Sequence, residues 1–66
     1  MKVSINGEQL ELPQGLTVAE LLVRLQAPDR GIAVAKNDRV VRRSAFDEER
    51  VDEGDRIEII RAVAGG

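Results

Sequence analysis

The sequence contains no cysteine and no histidine. Without a thiol there is no disulfide framework, no thiolate metal site and no redox cysteine. Without an imidazole, the commonest transition-metal ligand and the usual proton-transfer group near neutral pH are both missing. No apolar run approaches the roughly 20 residues that a membrane-crossing helix needs. Met1-Lys2-Val3 passes directly into an alternating pattern, which leaves no place for a signal peptide. A basic excess is absent as well. Ten basic against twelve acidic side chains give a net charge of −2, the wrong balance for a dedicated nucleic-acid binder. These absences predict a soluble, cytoplasmic domain with little catalytic equipment of its own.

What is present is a chain of 66 residues, 42% hydrophobic and 33% charged. A domain of that size buries only about 60% of its unfolded surface, enough for one core but not for a cofactor cavity beside it. Residues 2–12 read as a hairpin. Val3 and Ile5 alternate with polar neighbours, Asn6-Gly7 supplies the two positive-φ positions of a type I′ turn, and Leu10 and Leu12 continue the alternation. Pro13 and Gly15 end it. Thr17-Val18-Ala19-Glu20 is a capping box, followed by Val18, Leu21, Leu22 and Leu25 on one helical stripe. Pro28 is expected to stop that helix.

Ile32-Ala33-Val34-Ala35 has the continuous apolar character of a strand covered on both faces. Ile32 and Val34 are expected toward the helix, Ala33 and Ala35 away from it. Asn37-Asp38 then turns into a short strand around Arg39-Val40-Val41. Residues 44–53 read as an irregular connection anchored by Phe46 and Val51, and Glu53-Gly54-Asp55 as a turn. Arg56 to Arg61 forms the last strand, with Ile57 and Ile59 on the helix side and Glu58 and Ile60 on the other. The order β-β-α-β-β-β predicts an α+β domain, a mixed four- to five-stranded sheet with one main helix packed on one face. The basic stretch from Lys36 to Arg43 and the acidic stretch from Asp47 to Asp55 read as solvated loops. No histidine or suitably placed lysine pairs with Asp47, Glu48, Asp52 or Glu53 as an acid–base site, and the EF-hand pattern is absent.

The chemistry is expected in the tail. Ala62-Val63-Ala64-Gly65-Gly66 follows the last strand and is too small and glycine-rich to pack, so the domain is expected over 1–61 with a flexible tail over 62–66. From Val63 to Gly66 the tail reaches roughly 13–14 Å when extended. Glycine lacks a Cβ, so Gly65 and Gly66 fit a channel too narrow for other residues. The reactive group is the Gly66 α-carboxylate, a poor electrophile until another enzyme converts it to a mixed anhydride. Ile60, with Ala33 and Ala35, is expected on the uncovered sheet face as an apolar docking patch, and Arg56 and Arg61 as candidate rim contacts.

These residues carry a resemblance. Val3-Ser4-Ile5-Asn6-Gly7-Glu8, Leu16-Thr17-Val18-Ala19-Glu20-Leu21-Leu22, Ile32-Ala33-Val34-Ala35-Lys36-Asn37 and the run from Asp55 to Gly66 are similar to the ThiS family, the sulfur carriers of thiamine thiazole synthesis. The similarity extends over essentially the whole chain, and its last block is the most specific. Asp38, Arg42 and Phe46 depart from the family's common glycine, proline and tryptophan. The resemblance implies a ubiquitin-like β-grasp fold and a protein that is a co-substrate rather than an enzyme. A ThiF-like partner would use ATP and magnesium to adenylate Gly66. Sulfur derived from a cysteine desulfurase would make a thiocarboxylate, which would donate its sulfur to a ThiG-like thiazole synthase. No bound cofactor and no nucleic-acid or membrane partner are implied, and the free carrier is expected to be a monomer. Gly66 would be the attachment point beside Gly65, with Ile60, Arg61, Ala62, Val63 and Ala64 in contact with partners. Three other readings share parts of the pattern: the small subunit of molybdopterin synthase, a ubiquitin-like modifier, and a non-covalent β-grasp interaction module with an idle tail.

Overall fold

The computed structural model describes residues 1–28 and 30–61; Asp29 and residues 62–66 lie outside the described residues. Five strands and one helix form in the expected order: β1 (Lys2–Ile5), β2 (Glu8–Glu11), α1 (Val18–Arg24), β3 (Ile32–Lys36), β4 (Arg39–Val41) and β5 (Arg56–Arg61). The sheet order is β2-β1-β5-β3-β4. Neighbours pair antiparallel except β1 and β5, which run parallel through Ser4↔Arg56 and Ile5↔Ile57.

Both hairpins close through two residues in the left-handed region. Asn6 and Gly7 have φ of 52° and 85°, and Asn37 and Asp38 have φ of 51° and 71°. Short polar side chains tolerate that region, and the primed turn matches the strands' own twist. The turns set the registers Ile5↔Glu8 and Lys36↔Arg39.

The capping box is present in both directions. The Glu20 amide donates to Thr17 Oγ1 at 3.2 Å, and the Thr17 amide donates to Glu20 Oε1 at 2.9 Å. The next two helix donors are satisfied from outside the helix: the Val18 amide reaches the Glu49 carbonyl and the Ala19 amide the Phe46 carbonyl. The helix ends earlier than Pro28 requires. Gln26 takes φ 58°, its amide bonds to the Val23 carbonyl, and the Ala27 amide bonds to the Leu22 carbonyl. That pair of bonds is a Schellman cap, with glutamine in the position that usually holds glycine.

The core lies between α1 and one face of the sheet. Val3, Ile5, Val34 and Ile57 from the strands meet Val18, Leu21 and Leu22 from the helix, with Leu12, Val41, Phe46 and Val51 closing its margins. Phe46 and Val51 are thus the anchors of the irregular segment, as their apolarity predicts. A short 3-10 turn at Arg43–Ala45 opens that segment, and Val51 is tied back by its amide to the Leu16 carbonyl.

The solvated-loop reading of the charges needs correction. Asp55 is buried and accepts from Asn37 Nδ2 at 2.9 Å and from the Asp52 amide at 2.7 Å. Lys36 Nζ lies 2.7 Å from Glu49 Oε2 and 3.8 Å from Asp55 Oδ2, and donates to the Arg50 carbonyl at 2.8 Å. The end of the β3–β4 hairpin folds against the segment that leads into β5. Charges that look separate along the chain therefore become cross-links.

Candidate functional site

β5 is the strand from which the expected reactive tail departs, and it occupies the centre of the sheet. Its alternation separates two roles. Ile57 is fully buried and Ile59 half-buried on the helix side, whereas Glu58 and Ile60 face outward. Ile60 is 59% exposed and stands opposite Ala33. Ala35 stands between Glu58 on one side and Val40 on the other, and Val40 is 78% exposed. Ile60, Ala33, Ala35 and Val40 therefore continue across three strands as an apolar patch on the face opposite the helix. β3 is thus not covered on both faces, contrary to what its apolar run suggests: Ala33 is exposed, and the helix covers the other face.

The sequence expectation named three of those residues and missed Val40. The signal was available: a two-residue turn at Asn37-Asp38 forces Ala35 opposite Val40, and hence onto the same face. Of the two arginines offered as rim contacts, Arg56 shares this outer face and is paired with Asp38 at 2.6 Å. Arg61 is exposed and pairs with Ile32, which puts its side chain on the opposite face from Ile60. Ala62, Val63, Ala64, Gly65 and Gly66 lie outside the described residues.

Two further residues act on β5 through its main chain, and neither was singled out for that in the sequence. Asn37 Oδ1 accepts from the Arg56 amide at 2.9 Å, near the start of the strand. Asn6 Oδ1 accepts from the Ile59 amide at 2.8 Å, and Asn6 Nδ2 donates to the Ile59 carbonyl at 3.2 Å, near its end. Among the described residues, no group of three or more acidic side chains is assembled as a metal-ligand set, and no helix is long and apolar enough to cross a membrane.

A mixed five-stranded sheet holding one helix, with the first and last strands parallel at its centre, is the ubiquitin-like β-grasp arrangement. The sequence model of the ThiS family matches residues 3–66. The chain belongs to the ThiS family. This ThiS chain is 33% identical to the Escherichia coli (strain K12) sulfur carrier protein ThiS over 66 residues, covering the whole of both. It is also 36% identical over 66 residues to a thiazole synthase of Paramagnetospirillum magneticum, of which it spans only 20%. Among solved structures, the crystal structure of a thiamine biosynthesis protein (ThiS) from Geobacter metallireducens superposes with a TM-score of 0.86 at 32% identity over the full length of both chains. The ThiS match favours the thiamine-type carrier over the other three readings of the sequence.

Proposed function

We propose that this ThiS-family chain is the sulfur carrier for thiazole formation in thiamine biosynthesis, and that it works through a thiocarboxylate at Gly66. The observation that carries the reading is the end-to-end match with the Escherichia coli carrier, which aligns Gly65-Gly66 with the end of that protein. An α-carboxylate has a pKa of about 3.3–3.7 and is ionised at neutral pH, so no nucleophile attacks it unaided. A ThiF-like enzyme holding ATP and magnesium makes the acyl-adenylate, with pyrophosphate leaving. The terminal sulfur of a desulfurase-derived persulfide then attacks the Gly66 carbonyl carbon and AMP departs. A second thiolate attacks the donor-side sulfur of the resulting acyl disulfide and forms a new disulfide with it, and the thiocarboxylate leaves.

The chain is in this reading a co-substrate handled by cytoplasmic enzymes, and it needs no resident cofactor. Its lack of cysteine suits the task, because no internal thiol competes for the activated carbonyl. The occurrence of a ThiS-like sequence as a fifth of a protein named thiazole synthase supports a thiazole synthase as the acceptor. Ile60, Ala33, Ala35 and Val40 supply the docking face. Arg61, Ala62, Val63 and Ala64 lead the partner to Gly65 and Gly66.

The test is intact-mass spectrometry after incubation with ATP, magnesium, the activating enzyme and a sulfur source. The expected product is heavier by the difference between sulfur and oxygen, and fragmentation places the change at Gly66. Stable conjugates to lysine with no thiocarboxylate would instead make the chain a modifier, and an unchanged mass would reject the carrier reading.

A further inference from the structure

The β1·β5 ladder is short. It covers Ser4↔Arg56 and Ile5↔Ile57, after which the chain turns away at Asn6-Gly7 into β2. β3 continues along the other side of β5 as far as Ile32↔Arg61. From Ile59 onward, β5 therefore has a strand on one side only. The Asn6 carboxamide occupies the other side. The Asn6 main-chain amide donates to the Ile57 carbonyl at 2.9 Å, and the carboxamide accepts from the Ile59 amide and donates to the Ile59 carbonyl. A planar group with one acceptor and one donor thus replaces the peptide unit that a longer β1 would have offered.

This hold falls two residues before Arg61, the last described residue of β5. A loosened strand end changes the direction of everything that follows it. Five residues can span at most roughly 17–18 Å, at about 3.3–3.6 Å per residue, so the region open to a chain terminus depends on how firmly the strand before it is held. Displacements much smaller than that separate a reactive pair from an unreactive one.

We propose that Asn6 is a positioning residue for tail activation, its carboxamide fixing the end of β5 that precedes the tail. The proposal rests on the sulfur-carrier reading. Asn37 provides an internal comparison, because it makes a similar bond to β5 at Arg56, the end remote from the tail.

The variants are chosen to preserve the turns. Asn6→Gly leaves a Gly-Gly pair that adopts the same two positive φ values but removes the side chain. Asn6→Asp keeps the acceptor for the Ile59 amide and loses the donor. Asn37→Gly removes the other hold. Each is assayed in ATP–pyrophosphate exchange with the activating enzyme, at a temperature where circular dichroism shows full folding, alongside hydrogen exchange of the Ile59 amide. Asn6→Gly is expected to lower kcat about five- to tenfold, the scale of one or two net hydrogen bonds, with KM unchanged and faster Ile59 exchange. Asn6→Asp should recover part of the loss, and Asn37→Gly should leave kcat as it is. A wild-type kcat for Asn6→Gly, or an equal loss in Asn37→Gly, overturns the proposal while leaving the carrier reading intact. No exchange by the wild-type chain overturns both.

Discussion

The Asp55 carboxylate is buried at the mouth of β5, a costly location for a charge without partners. Both its oxygens are engaged, by Asn37 Nδ2 and the Asp52 amide, and the Lys36 ammonium stands within 3.8 Å. Lys36 in turn is held above its ordinary pKa of 10.5, first by its hydrogen bond to Glu49 and then by attraction to Glu49, Asp55 and Asp52, against an opposing desolvation. A raised value in the folded state means that folding tightens the proton on Lys36. The stabilisation is therefore complete below the unfolded pKa and disappears as pH rises through the folded one. Urea midpoints should fall more steeply above about pH 10.5 in the wild-type chain than in Lys36→Gln. The variant should be the less stable of the two at pH 8, with the gap closing in strong alkali. Parallel curves would show that the Lys36 contacts contribute nothing.

At the scale of elements, the local signals were legible and the long-range ones were not. Asn6-Gly7 and the Thr17–Glu20 box each contain their own partners within four residues, so the sequence suffices to predict them. The helix end was attributed to Pro28, but it is made by Gln26, whose left-handed conformation nothing in its chemistry announces. Since a non-glycine residue is strained there, Gln26→Gly should stabilise the chain by about 0.5–1 kcal/mol, the left-handed penalty less glycine's greater freedom when unfolded. Thermal and urea melts would measure it, and a loss of stability would mean that the Gln26 side chain contributes contacts. The second roles of Asn6 and Asn37 were also hidden. Both read correctly as turn residues, but their bonds to β5 depend on which strand settles beside each turn. The same reasoning covers Asp55 and Glu49, which meet Asn37 and Lys36 of the β3–β4 hairpin.

For the whole molecule, the proposed carrier function assigns the apolar outer face and the tail to one functional unit. Placing aspartate at Ile60 removes no core contact, because Ile60 is largely exposed, so stability should change by less than about 0.5 kcal/mol. Binding to the activating enzyme should weaken by at least about tenfold, as expected for losing an apolar anchor and burying a charge in its place. Calorimetric titration of Ile60→Asp against that enzyme checks both expectations when paired with a melt. Unchanged affinity would place recognition elsewhere on the surface. The apolar outer face was legible because the β5 alternation and the alanines of β3 predict it. Its extension to Val40 needed the exact hairpin register.

The strand in the middle of the sheet comes last in sequence, with Ser4 joined to Arg56 across nearly the whole chain. A nascent polypeptide made only as far as Asp55 has two hairpins with no strand to join them and a core that lacks Ile57 and Ile59. The sheet therefore cannot close until β5 has been made, and neither can the surface that pairs Ile60 with Ala33. Under the proposed docking, an enzyme that reads this surface would bind only chains extended at least through Ile60, and shorter products would go unrecognised.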